Sequence, residues 1–284
     1  MKKQWNEVSI IPDFSCNGSC HHCSLRNFPC FPNKERFLKN LPNFLKSFDS
    51  SNSIVYIFGG EPLLVDLNYL FTIKEILDKN SFKFTLSSNL LVPLNDKHLD
   101  FLKSCYCYIN TSFNYSRFKT DKHFKLFKLN CKKLELSEIS YEIMTTLDFD
   151  LIKVSPQDFI QNLKGLKPQA VIFERLVGFD LDNSFVDIWL ENFYQYLIEH
   201  SQEQFTRFEP FSTLYRTQNQ DKLEKHCFYK KALFPDGEIK PFCPYGQFKN
   251  GFPFCYENSV CNFIVIFLVY LKILKREFFN GIKP

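Results

Sequence analysis

Six short apolar runs, each followed by a segment of helical periodicity, fill residues 7 to 200 and leave few folds open. The runs are EVSII (7–11), SIVYIF (53–58), KFTLSS (83–88), YCYINTSF (106–113), YEIMTTL (141–147) and AVIFERLVGF (170–179). Between them lie stretches of helical spacing, such as Phe37, Leu38, Leu41, Phe44, Leu45 and Phe48, where Pro42 predicts a kink. Helical stretches are also read at Leu67 to Leu77, at DKHLDFLKSC, in the lysine-rich segment before YEIMTTL, and at SPQDFIQNLKGL. The last, NSFVDIWLENFYQYLIEH, places Phe185, Trp189, Asn192, Phe193 and Tyr196 on one face. Strand–helix alternation of this kind predicts a parallel sheet with right-handed crossovers, open or curled into a partial (β/α)6 TIM-like barrel. Ligands in such sheets bind at the carboxyl ends of the strands. After about residue 205 the alternation gives way to prolines, glycines and four cysteines, which reads as a small appended domain, so the chain divides into 1–204 and 205–284.

A chain of 284 residues with 45% hydrophobic and 17% aromatic residues has enough apolar material for a substantial core. The net charge of +4 comes from lysines scattered along the chain, so no basic stripe points to nucleic acid. The N-terminal MKKQWNEVSIIPDF carries no apolar run of signal-peptide length, so a cytoplasmic address is expected. VCNFIVIFLVYL (260–271) is apolar for only 12 residues. A spanning helix needs roughly 20, so a buried or docking helix is expected, with a peripheral membrane contact as the alternative.

In a reducing compartment the 11 cysteines point to metal binding or catalysis rather than disulfides. Cys105, Cys107 and Cys131 fall in strand-like or helix-like stretches and read as small buried hydrophobes. Cys16, Cys20 and Cys23 fall together in CNGSCHHC. Three thiolates from one loop suit three corners of an iron–sulfur cluster, whose fourth iron then has an open position for a ligand. A zinc site completed by His21 or His22 is the alternative. One helix and one strand later comes Gly59-Gly60-Glu61-Pro62 at a strand's carboxyl end. Two glycines there allow close backbone approach to a ligand, and Glu61 is an acceptor for a cationic amine.

Together CNGSCHHC and GGEP resemble the radical S-adenosylmethionine superfamily over residues 7 to about 180. The resemblance implies that Cys16, Cys20 and Cys23 hold a [4Fe–4S] cluster and that Gly59, Gly60 and Glu61 hold S-adenosylmethionine. It also implies polar contacts to the cofactor from the ends of the third and fourth strands, SSN with Ser88 and TSFN with Ser112, although a helix-cap or turn role would account for either serine. FERLVGF resembles the sixth strand of peptide-acting members, and Arg175 there would reach a carboxylate or pair at the surface. One departure is His22, where the family usually has an aromatic residue before the third cysteine. The reaction implied is reductive cleavage of S-adenosylmethionine to a 5′-deoxyadenosyl radical that abstracts hydrogen from a substrate, with the cofactor performing the hard step. A closed barrel rich in phenylalanine would suit the exclusion of solvent and oxygen, although phenylalanine abundance by itself marks only core.

In the tail, Cys227 and Cys243 flank a Pro-Asp-Gly turn between strand-like arms, and Cys255 and Cys261 follow. This resembles the Twitch or SPASM auxiliary-cluster modules of radical enzymes. Four cysteines fit one additional iron–sulfur cluster, with a zinc ribbon as the alternative. The resemblance as a whole implies an enzyme that modifies a peptide and draws electrons from a donor such as flavodoxin or ferredoxin. Two alternatives stay open: a small-molecule radical dehydrogenase or synthase, and a zinc-stabilised binding protein without catalysis.

Overall fold

Each apolar run carries buried residues in the computed structural model, which describes residues 6–20, 23, 25, 31–118, 120–175, 183–199, 208–209, 230–242, 247–249 and 252–254. The strands β1 (Asn6–Ile10), β2 (Ser53–Ile57), β3 (Lys83–Ser88), β4 (Ile109–Ser112), β5 (Tyr141–Leu147) and β6 (Val171–Arg175) are each followed by a helix. These helices are α1 (Lys34–Leu45), α2 (Leu67–Lys79), α3 (Asp96–Lys103), α4 (Asp121–Leu136), α5 (Pro156–Leu163) and α6 (Asn183–Glu199). Side-chain caps start them. Asn33, Asp66, Asn95, Thr120 and Ser155 each accept a hydrogen bond from a first-turn amide, which satisfies one otherwise orphaned donor. Helix α1 runs on through Pro42.

Among the described residues the main sheet has nine strands in the order β7-β6-β5-β4-β3-β2-β1-β8-β9, with β7 (Phe208–Glu209), β8 (Lys230–Leu233) and β9 (Ile239–Phe242) added to the six predicted. Neighbours from β7 through β8 are parallel, and β9 returns antiparallel to β8. The sheet is open, since the outermost strands β7 and β9 do not pair with each other. The partial-barrel fold expected from the alternation is therefore the one observed. A separate short antiparallel pair joins β10 (Gln247–Lys249) to β11 (Phe252–Phe254).

Burial along β5 shows how the layers are built. Tyr141, Ile143, Thr145 and Leu147 are buried, while Glu142, Met144 and Thr146 between them are partly exposed on the other face. Several of the described phenylalanines pack in the layer between sheet and helices. Phe113 lies 5.6 Å from Phe127 of α4 and 5.7 Å from Phe159 of α5, and Phe173 lies 5.0 Å from Phe193 of α6. In α6 the buried stripe is Val186, Trp189, Leu190 and Phe193, at the i, i+3, i+4, i+7 spacing of an amphipathic helix. Phe185 and Asn192, expected on that face, point outward. Val186 and Leu190 take the places expected for Phe185 and Asn192, because ring size does not by itself decide burial. Of the three mid-chain cysteines, Cys131 is buried, Cys105 half-buried and Cys107 exposed. Cys107 departs from expectation because β4 begins only at Ile109, leaving it in a turn with φ of 73°.

Candidate active site at the carboxyl edge of the sheet

The cysteine loop and the GGEP turn are built against each other. The chain leaves β1 at Ile10 and crosses the carboxyl edge of the sheet, and the segment after β2 meets it there. Gly60 N donates to the Asp13 carbonyl at 3.1 Å and Glu61 N to the Ser15 carbonyl at 2.7 Å. Both glycines are dictated by this contact. A Cβ at Gly60 would lie 2.2 Å from Ser15 O, and one at Gly59, where φ is 133°, would lie 2.6 Å from Ile11 Cγ2 and 2.7 Å from Asp13 O. The backbone these glycines approach closely is that of the cysteine loop itself.

Glu61 turns inward and is 1% exposed. Its Oε1 accepts from Leu63 N at 3.0 Å and from Ser88 Oγ at 2.8 Å, and its Oε2 accepts from Asn89 N at 2.6 Å. Burial pushes the carboxyl up from the usual range, against the pull of these three donors and of the Arg117 charge. The carboxylate thus ties the GGEP turn to the end of β3. Ser88 is committed to the same contact, and its Oγ also accepts from Leu90 N at 3.0 Å. Ser112 closes β4 half-exposed at the same edge. Arg175 closes β6 there, in register with Leu147.

Within the loop, Cys20 is 7% exposed, whereas Cys16 and Cys23 are exposed, and none of the three is in a disulfide. Gly18 N donates to Cys16 Sγ at 3.2 Å, and Arg117 Nε donates to Cys20 Sγ at 3.0 Å. Asn89 Nδ2 approaches Cys16 Sγ at 3.8 Å and donates to Asn17 Oδ1 at 2.8 Å, while Asn17 Nδ2 donates to the Leu91 carbonyl at 2.9 Å. Although Cys16 as a residue is exposed, the protein atoms crowded around its sulfur partly desolvate the thiol and push it up, with Gly18 N opposing. A Cβ on Gly18 would come tightly against Cys16 Sγ at 3.3 Å and into ordinary contact with the Arg117 and Asn89 nitrogens at 3.6 Å. Free thiols on one loop, two of them already receiving N–H donors, form a donor set that fits an iron–sulfur cluster. Among the described residues no three metal-ligating side chains are already gathered around a common point.

Sequence reasoning missed Asn17, Arg117 and the direction of Asn89. Arg117 lies 97 positions from its cysteine partner, and no local pattern connects the two. Cys227, Cys243, Cys255 and Cys261, together with His21 and His22, lie outside the described residues, as does the apolar 260–271 segment. Among the described residues no helix is long and apolar enough to cross a membrane.

No protein-family model matches the chain, and no curated protein matches it in sequence. Solved structures do match in fold. One is native anSMEcpe with bound AdoMet and Cp18Cys peptide, with a TM-score of 0.66 at 13% identity over 89% of this chain and 78% of that one. Another is SuiB from Streptococcus suis, with a TM-score of 0.54 at 15% identity over 84% of this chain and 60% of that one. The likeness carries the fold.

Proposed function

We propose that this chain is a radical S-adenosylmethionine enzyme that modifies a peptide. The observation that carries the reading is the docking of the GGEP turn, through the Gly60 and Glu61 amide hydrogen bonds, on the segment that leads directly into the loop of three free cysteines at the carboxyl edge of a parallel sheet. That edge is where open α/β sheets place their ligands. Cys16, Cys20 and Cys23 would hold the cluster. The chemistry this group supplies when bound is one electron for the reductive cleavage of S-adenosylmethionine. Gly59, Gly60, Glu61, Ser88 and the half-exposed Ser112 would contact that cofactor, with Arg175 further along the same edge. The protein's part is to fix the loop and to present polar strand ends towards the ligand. An oxidation-prone thiol set suits a reducing, cytoplasmic setting and an electron donor of the flavodoxin or ferredoxin class.

A peptide substrate is favoured by the neighbour whose structure contains one, anSMEcpe with its bound Cp18Cys peptide. The region from residue 205, with Cys227, Cys243, Cys255 and Cys261, would form an auxiliary-cluster module of the Twitch or SPASM type. Anaerobic reconstitution followed by iron and zinc analysis tests the metal assignments. About eight irons per chain are expected with both clusters, and about four with the loop cluster alone, since each cubane holds four. One zinc and no iron would contradict the reading.

A further inference from the structure

We propose that Arg117 is a positioning residue that sets the reduction potential of the loop cluster through Cys20. The inference rests on the assignment of the cluster to Cys16, Cys20 and Cys23. Its own basis is a contact between two residues far apart in sequence. Arg117 Nε donates to Cys20 Sγ at 3.0 Å, and its Nη1 donates to the Ser112 carbonyl at 3.1 Å. The arginine backbone is held as well. Arg117 N donates to the Asn114 carbonyl at 3.0 Å, and Asn114, which is buried, accepts from Thr146 N at 2.9 Å through its side chain. The guanidinium is therefore fixed from β4 and β5 while it faces the cysteine loop.

The two sulfurs receive unlike donors. Cys16 takes a neutral amide from Gly18, whereas the more buried Cys20 takes a delocalised cation. A charge-assisted hydrogen bond to a thiolate strengthens as negative charge on the cluster grows. Hydrogen bonds to the cluster sulfurs are among the factors that set its potential. When the cluster takes one electron from a protein donor or from dithionite, its charge becomes more negative by one. Arg117 then favours the reduced form over the oxidised form and moves the potential into the donor's reach. Lysine at this position would keep the charge without the fixed Nε geometry, and glutamine would keep a donor without the charge.

The test is a potentiometric titration of the full-length, anaerobically reconstituted protein without S-adenosylmethionine, so that direct cofactor contacts do not enter. Electron paramagnetic resonance reports the reduced cluster, and iron and sulfide are assayed in the same samples. At a fixed potential the ratio of reduced to oxidised cluster is expected to fall roughly tenfold in Arg117→Ala and Arg117→Gln, with Arg117→Lys closer to the parent. An unchanged ratio in Arg117→Ala with iron retained would overturn the inference. If Arg117→Ala holds no iron, the other two variants decide: a lower ratio in Arg117→Gln than in Arg117→Lys supports the role of the charge, and equal ratios overturn it. A parent protein that takes up no reducible cluster would instead overturn the cluster assignment, and this inference with it.

Discussion

Glu61 shows how the fold gives a motif residue partners that its motif does not announce. Read in sequence, the carboxylate of GGEP is an acceptor for a ligand amine. In the structure it is 1% exposed and accepts from Leu63 N, Ser88 Oγ and Asn89 N. All three of these partners belong to the protein itself. Glu61→Gln keeps the shape and puts an amide N–H where an acceptor is required, leaving a buried donor opposed to a donor. That arrangement costs about 1–3 kcal/mol. Urea unfolding should show a lower midpoint with an unchanged slope, and an unchanged midpoint would mean that the three contacts contribute nothing. At this scale the cysteines were legible because Cys16, Cys20 and Cys23 are neighbours in the chain. The Arg117–Cys20 contact was not legible, because it is made by the fold and not by spacing.

Between elements, the decisive contact is that of the GGEP turn with the cysteine loop. Gly60 has Ser15 O where a Cβ would be, at 2.2 Å, and the neighbouring Phe14 carbonyl at 2.5 Å. These are backbone atoms and cannot swing aside as a flexible side chain can. Gly60→Ala should therefore displace the loop and destabilise the protein by about 1–3 kcal/mol, as overpacking does. Iron uptake on reconstitution should fall with it, and full uptake at parental stability would contradict this account of the turn. The sequence announced the two glycines but not what they approach, since either a ligand or a second loop would require them. Helix α6 shows the same limit: its existence was plain, but its buried face was set by Val186 and Leu190 as much as by the rings of Trp189 and Phe193.

At the scale of the molecule, the hairpin of β8 and β9 changes how the tail relates to the cysteine loop. The turn between its arms was readable from Pro235-Asp236-Gly237, but its partner was not. β8 lies parallel to β1, with Ser9 opposite Ala232 and Ile10 opposite Leu233, a pairing across more than two hundred residues. Ile11 N donates to the Leu233 carbonyl at 2.8 Å, and Phe14 meets Phe234 edge-on at 6.2 Å. Ile11, Ala232 and Phe234 form a small cluster of their own, with Phe14, Leu25 and Phe58 packed against it. The hairpin also docks on the start of α1, where Asn33 N donates to the Pro235 carbonyl at 2.8 Å and Asn40 Nδ2 to the Gly237 carbonyl at 2.9 Å. The loop that would hold the cluster is thus held from the GGEP turn on one side and from the hairpin on the other. Both supports serve the central claim, that Cys16, Cys20 and Cys23 bind a redox cluster that cleaves S-adenosylmethionine. The most direct test is to incubate the reconstituted protein anaerobically with S-adenosylmethionine and dithionite and to quantify 5′-deoxyadenosine. Steady formation is expected from the parent chain and none from the variant with Cys16, Cys20 and Cys23 all changed to alanine. Equal formation by the two proteins would contradict it.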